Sequence, residues 1–354
     1  MEYVVDFVQM KRFKDDLQIQ VLEAMRTPGG KKISEECWQA IKSTKIRSSG
    51  GGAASTASDP RLRAARRWYE SAYEWRIVSY AMHAQAKLDA HDVGTVLFYI
   101  PAVDRPAVRC SKQEFDAMRA EPNISTTAKL PGLLPVFVGM EMILTESVLP
   151  PKYVRGTPCV VVGLEPHPQE LNIEGRESIA IDGCVVLRYL PKAVYVKVKG
   201  SKDVHHQGSS CADMDLQGVL AITPLARPWK FHRSSNTDTV PTTRSQIPLL
   251  PQKQCTLHGV QGKTADPGFI AHWTFPLKLP KASIWLATYV SLSRPRCFAN
   301  LLSHGLPDRD IIEGGPPAAI TEAFDELFTA KVAATKIACA TARAKMGWPA
   351  RRDV

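Results

Sequence analysis

The segment Cys255-Thr256-Leu257-His258-Gly259-Val260-Gln261-Gly262-Lys263-Thr264 sets a threonine, a histidine, a glutamine and a glycine in one turn between apolar runs. Further along, Tyr289-Val290-Ser291-Leu292-Ser293-Arg294 carries an apolar run, strand- or helix-like, to a single fixed cation. Arginine keeps its charge at any working pH and offers a planar fork of N–H donors. Glycine lets a backbone approach a ligand closely. A positioned Arg294 beside a Gln261-Gly262 turn would suit the outer phosphates of a nucleoside triphosphate. Thr256 and His258 carry groups that bond a phosphate or stack on a base. Each residue also has a plainer reading. Arg294 can end a surface helix, Gln261-Gly262 can be an ordinary turn, and a lone His258 can be structural.

The complementary half of such a site does not occur in these residues. A phosphate-binding loop needs G-x-x-x-x-G-K-[ST], whose glycine N–H groups cradle phosphates while the lysine reaches the outer ones. Gly262-Lys263-Thr264 fails because Leu257 stands where the first glycine must be, and Gly29-Gly30-Lys31-Lys32 fails as well. No apolar strand-like run ends in the Asp-Glu pair expected to hold Mg²⁺.

At 354 residues the chain is long enough for more than one core, and its 44% hydrophobic content predicts that most of it folds. A net charge of +10 favours an anionic partner, nucleic acid first and an acidic protein or membrane surface after it. A basic and aromatic cluster sharpens this. Arg61, Arg63, Arg66 and Arg67 interleave with Trp68, Tyr69, Tyr73 and Trp75, a composition that grips single strands or else makes a helix with one packed and one wet face. The eight cysteines show no C-x-x-C and read as free thiols in a reducing compartment. His205, His206 and Cys211 lack finger spacing, and no metal site is expected. The charged stretch Met1 to Asp16 is not a secretory signal, and no apolar run reaches the length of a membrane span.

Apolar spacing predicts a helix over Asp15 to Arg26, with Leu17, Val21, Leu22 and Met25 on one face, and a second helix capped by Ser34. Residues 1–47 form a helical part and 48–60 a Gly/Ser/Ala-rich linker. Over 61–135 a helix at Arg61 to Tyr73, a strand at Trp75 to Ala81 leading into a helix, and a strand at Thr95 to Ile100 predict α/β structure. Short strands over 136–246 predict a small antiparallel barrel, with Gly200 to Gln217 and Arg233 to Gln246 as polar loops. The pattern returns to α/β over 247–312 and ends in a basic helix over 313–354, with Ile320, Phe324, Leu327 and Phe328 as its apolar stripe.

With these segments placed, the chain resembles the C-terminal half of a superfamily 1 DNA helicase of the RecD/Pif type. That family carries T-x-H-K-x-Q-G-x-T, matched by Thr256 to Thr264, and then Y-V-A-L-S-R, matched by Tyr289 to Arg294. Met10 to Asp16 is similar to its F-R-Q-x-D element, with Arg12 at the nucleotide-contacting arginine. Pro135 to Met140 with Arg155-Gly156-Thr157-Pro158 resembles the approach to its SH3-like insert. The four fall in family order. Gly259 replaces the family's lysine, Val260 its serine and Ser291 its alanine; Pro295 follows the arginine, and no Thr-Asn stands near Ser79 to His83.

The resemblance implies a second RecA-like motor domain of α/β fold with an inserted SH3-like barrel. It implies ATP and Mg²⁺ as cofactors of the complete motor, Arg294 and Arg12 as catalytic cations, and Gln261, Gly262 and Thr264 at the nucleotide. Single-stranded DNA would meet Thr256, His258, Arg66 and Arg67. It further implies 5′-to-3′ polarity, a nuclear or mitochondrial location, and a first RecA-like motor domain as partner in trans. A non-catalytic nucleic-acid-binding module and a decayed copy are the alternatives.

Overall fold

The computed structural model describes residues 13, 15–47, 59–148, 150–170, 184–198, 200–201, 218–233 and 238–346. In chain order, α1 (Asp16–Arg26), α2 (Glu35–Ser43) and α3 (Pro60–Ala64) precede β1 (Tyr69–Ala72) and α4 (Trp75–Val93). Next come β2 (Leu97–Pro101), β3 (Val103–Pro106), α5 (Lys112–Ala120), β4 (Leu133–Val136), β5 (Glu141–Leu144) and β6 (Pro158–Glu165). Strands β7 (Cys184–Val186), β8 (Ala193–Val198), β9 (Val219–Ile222), β10 (Leu225–His232), β11 (Thr239–Gln246), β12 (Leu249–Pro251) and β13 (Gln254–Thr256) follow, ending at the short α6 (Leu257–Val260). The chain closes with β14 (Phe269–His272), α7 (Lys281–Leu292), β15 (Leu301–His304), α8 (Arg309–Glu313) and α9 (Ala318–Lys345).

These elements fall into two compact units, one of residues 1–65 with 260–354 and the other of residues 66–259. In the first, α1 starts on Asp15, whose carboxylate accepts the N–H groups of Leu17 and Gln18, and it buries Val21, Leu22 and Met25 as its spacing predicts. It packs against α2, α7 and α8. Ser34 caps α2 by accepting the N–H of Cys37. Strands β14 and β15 run parallel, Phe269 opposite Leu301 and His272 opposite His304, and a parallel bridge joins Lys45 to Ser303. Gly30 and Gly315 allow the α1–α2 connection to lie on the α8–α9 connection. A Cβ on Gly315 would stand 2.3 Å from the Thr27 carbonyl oxygen.

In the second unit β1 runs parallel to β13, with Ser71 opposite Cys255, and α4 packs on both. A five-stranded antiparallel sheet, β12-β5-β6-β8-β9, shares its core with the β4-β2-β7 sheet through Ile100, Leu134, Met142, Val194, Val196 and Ile247. The sheet β10-β11-β3 is antiparallel throughout. Residues 136–246 contribute β5 to β11, but these strands join open sheets with β2, β3, β4 and β12; among the described residues none closes into the expected SH3-like barrel.

Three local expectations need correction. The Arg61 to Tyr73 helix stops at Ala64 and the chain enters β1, because Tyr69 to Ala72 gain ladder bonds to β13. Trp75 to Ala81 is the first half of α4, whose buried Val78, Ala81, Met82, Ala86 and Ala90 keep helical spacing up to Gly94 in the left-handed region. Thr239 to Gln246 is a strand, with Val240, Thr242, Arg244 and Gln246 buried on one face. Residues 48–58, His205, His206 and Cys211 lie outside the described residues.

Candidate functional site

Arg294 follows the last turn of α7 and is only 7% exposed. Its Nε donates to the Val290 carbonyl at 3.0 Å, satisfying a helix-end acceptor, and its Nη2 donates to Ser293 Oγ at 2.7 Å. Its Nη1 donates to the Lys263 carbonyl at 2.8 Å and the Val260 carbonyl at 3.3 Å. Those carbonyls bracket Gln261 and Gly262. The turn closes with the Lys263 N–H on the Val260 oxygen at 3.0 Å, and Gly262 sits at φ +80. A side chain there would be strained, so the glycine fits its position. The Ala265 N–H returns to the Arg294 carbonyl at 3.1 Å. Residues that stand far apart in the sequence thus form one interlocked motif.

Gln261, Gly262 and Lys263 are exposed and Thr264 is half-buried. Open space surrounds the position a Gly262 Cβ would take, so an anion can approach this backbone, with the Arg294 charge beneath and Lys263 alongside. Strands β14 and β15 end in His272 and His304, whose rings stack at 4.2 Å. Arg12 lies outside the described residues.

Gln18 escaped the sequence reading of the site. Its side chain is fully buried, and its Nε2 donates to the carbonyls of Leu292 at 2.7 Å and Pro295 at 3.1 Å, on either side of Arg294. The N–H of Phe298 donates to Asp15 at 2.9 Å. The start of α1 therefore fixes the loop that carries the arginine. The signal was present, since Gln18 stands one turn before Val21 and Leu22 on the apolar face of α1.

In the second unit Thr256 ends β13 half-buried, and His258 is exposed on α6. The His258 ring meets Tyr73, just past the end of β1, edge to face at 6.1 Å. Parallel strands β1 and β13 thus deliver two rings to their shared carboxyl end, the usual ligand side of such strands. A Cβ on Gly259 would stand 3.2 Å from Cys255 Cβ, a tight contact. Arg66 pairs with Asp92, and Arg67 is exposed. The structure does not continue them into one basic helix with Arg61, which lies in the other unit. No helix among the described residues is long and apolar enough to cross a membrane.

No known protein family and no curated protein matches the chain. Solved structures do. Pif1 helicase from Bacteroides bound to ssDNA is similar with a TM-score of 0.50 and 14% identity, over 93% of this chain and 57% of that one. The same helicase in complex with ADP-AlF3 and ssDNA gives a TM-score of 0.50 and 13% identity, again over 93% and 57%. The chain thus spans little more than half the length of the structures it matches. Across that span it has the α/β fold of Pif1 helicases.

Proposed function

We propose that the chain is the C-terminal half of an ATP-dependent DNA helicase, 5′-to-3′ by its resemblance. It would be a second RecA-like motor domain that contributes an arginine finger and a face for single-stranded DNA. The observation that carries this reading is the Arg294 guanidinium held against the carbonyls of Val260 and Lys263, beneath the open Gln261-Gly262 turn. The fold shared with Pif1 helicases supports it.

ATP with Mg²⁺, when bound, would supply the phosphoanhydride bond to be broken. Arg294 would offset charge on the transferred phosphoryl group, a contribution worth roughly 10³ to 10⁵ in rate for an arginine finger. Arg12 would be a second cation. Gln261, Gly262 and Thr264 would line the nucleotide, with Gly262 allowing close backbone approach. Thr256 would bond a strand phosphate and His258, braced by Tyr73, would meet a base. Arg66 and Arg67 would add charge along the strand.

The chain alone would not hydrolyse ATP, because the G-x-x-x-x-G-K-[ST] loop is absent from these 354 residues. A first RecA-like motor domain would have to supply that loop and the Mg²⁺ ligands. Adding such a domain and measuring DNA-stimulated ATP hydrolysis tests the proposal. Appearance of turnover supports it. No turnover, with tight salt-sensitive strand binding that ignores ATP, would instead fit a non-catalytic binding module. Gly259, which stands where the family carries its lysine, favours that second reading.

A further inference from the structure

The first unit carries a cavity of about 380 Å³ at the end of α2, lined by Lys42, Ser43, Lys45, Ile46 and Arg47. None of these residues belongs to the site described above. Lys45 and Arg47 are exposed, and Lys42 is half-buried with Glu35 at 3.5 Å. A helix end normally repels anions, because its last carbonyls point outward. Here protein donors occupy those oxygens. Arg61 donates to the Ser43 carbonyl at 2.7 Å and the Lys45 carbonyl at 2.6 Å, and the Thr44 hydroxyl donates to Ile41 at 2.7 Å.

The backbone of the cavity is also fixed. Buried Asp59 accepts from the Arg47 N–H at 3.0 Å and from Arg61 Nη2 at 2.8 Å. Ile46 donates to the Ser303 carbonyl at 2.9 Å, tying this wall to β15. Arg61 is thereby committed to Asp59 and serves the scaffold, while Lys42, with Glu35 at 3.5 Å, and the exposed Lys45 and Arg47 line the cavity.

We propose that Lys42, Lys45 and Arg47 form a phosphate-binding pocket that takes a phosphodiester of a bound single strand. This assignment of the source rests on the DNA-binding reading above; the phosphate chemistry does not. Phosphate suits the lining, being a compact anion that several cations can share.

The test uses the whole chain and a triple variant, Lys42→Gln, Lys45→Gln and Arg47→Gln, with fluorescent oligo-dT and inorganic pyrophosphate as probes. The substitutions fall on side chains whose hydrogen-bonded backbone is untouched. Removing the contacts should weaken oligo-dT binding by about 100-fold at 0.1 M salt and lower the log–log salt slope by about 2. A charge-keeping variant, Lys42→Arg with Lys45→Arg, should bind as the original does. If the original chain ignores oligo-dT but binds pyrophosphate, and the triple variant loses that binding, the pocket stands with a free phosphate as its ligand while the DNA reading fails. A triple variant that matches the original with both probes overturns the pocket. So does an original chain that binds neither, or one from which polyglutamate displaces pyrophosphate as readily as phosphate does.

Discussion

Nη1 of Arg294 lies 2.8 Å from the carbonyl oxygen of Lys263, so the cation that ends one motif closes the turn of the other. Its bonds to Val260, Val290 and Ser293 require a planar fork that lysine cannot reproduce. Arg294→Lys should therefore destabilise the first unit almost as much as Arg294→Ala, by about 2 to 4 kcal/mol, since bonds from a charged donor to buried acceptors are lost. Urea unfolding reads this directly. A lysine variant as stable as the original would show that the fork is not what holds the turn.

His258 is exposed and contacts Tyr73 only through ring edges. His258→Ala should leave stability nearly unchanged and weaken single-strand binding by about 1 to 3 kcal/mol, the range for one stacked base. Anisotropy titration with short oligo-dT checks it. Equal affinity for both proteins would remove His258 from the strand face.

Arg244 is fully buried and meets Asp104 through Nε and Nη2, both at 2.8 Å. It also donates to the carbonyls of Met118 and Leu130, and its guanidinium lies 4.7 Å from the Trp229 ring centroid. Arg244→Met alone leaves a buried carboxylate unpaired and should cost about 3 to 5 kcal/mol. Joined with Asp104→Leu, the loss should shrink markedly. Thermal unfolding of the singles and the double settles it, and additive losses would argue against coupling.

Hydrogen bonds from Arg61, then from the N–H groups of Arg47 and Arg61, hold the Asp59 carboxyl well below the usual carboxylate range despite its burial. A depressed folded value means Asp59 stabilises the fold above the unfolded carboxylate pKa of about 4. That contribution fades as pH falls further, toward the folded value. Asp59→Asn should thus be clearly less stable than the original at pH 7, with the gap narrowing below about pH 4. A gap that stays constant down to pH 2 would rule out this linkage.

How far the fold could be read ahead depended on where apolar residues mark a face. Helix α1 was legible because Val21, Leu22 and Met25 recur at helical spacing and Asp15 caps them. Strand β11 was hidden because its buried face carries Thr242, Arg244 and Gln246, and the Arg244 fork and the Gln246 amide donate to distant partners, Asp104 and the carbonyls of Ile100 and Pro131. The boundary of α4 was lost for a different reason. Aromatic Trp75 and Tyr80 suit a strand locally, and only the packing of Val78 and Ala81 decides for helix. At the site, the spacing of the motifs pointed to Arg294 and the Gln261-Gly262 turn. It did not reveal that the guanidinium grips the turn's own carbonyls, since such bonds depend on backbone positions far apart in sequence. Gln18 could have been noticed as a polar residue on an apolar face.

The role proposed for Arg294 is to serve a nucleotide held by a motor domain outside these residues. Its most direct test is DNA-stimulated ATP turnover of this chain combined with a first RecA-like domain, at saturating ATP, with and without Arg294→Ala. Folding of the variant is confirmed beforehand by circular dichroism. Turnover should appear with the original and fall by about 10³-fold or more with the variant while ATP binding persists. Turnover that survives Arg294→Ala unchanged would contradict it.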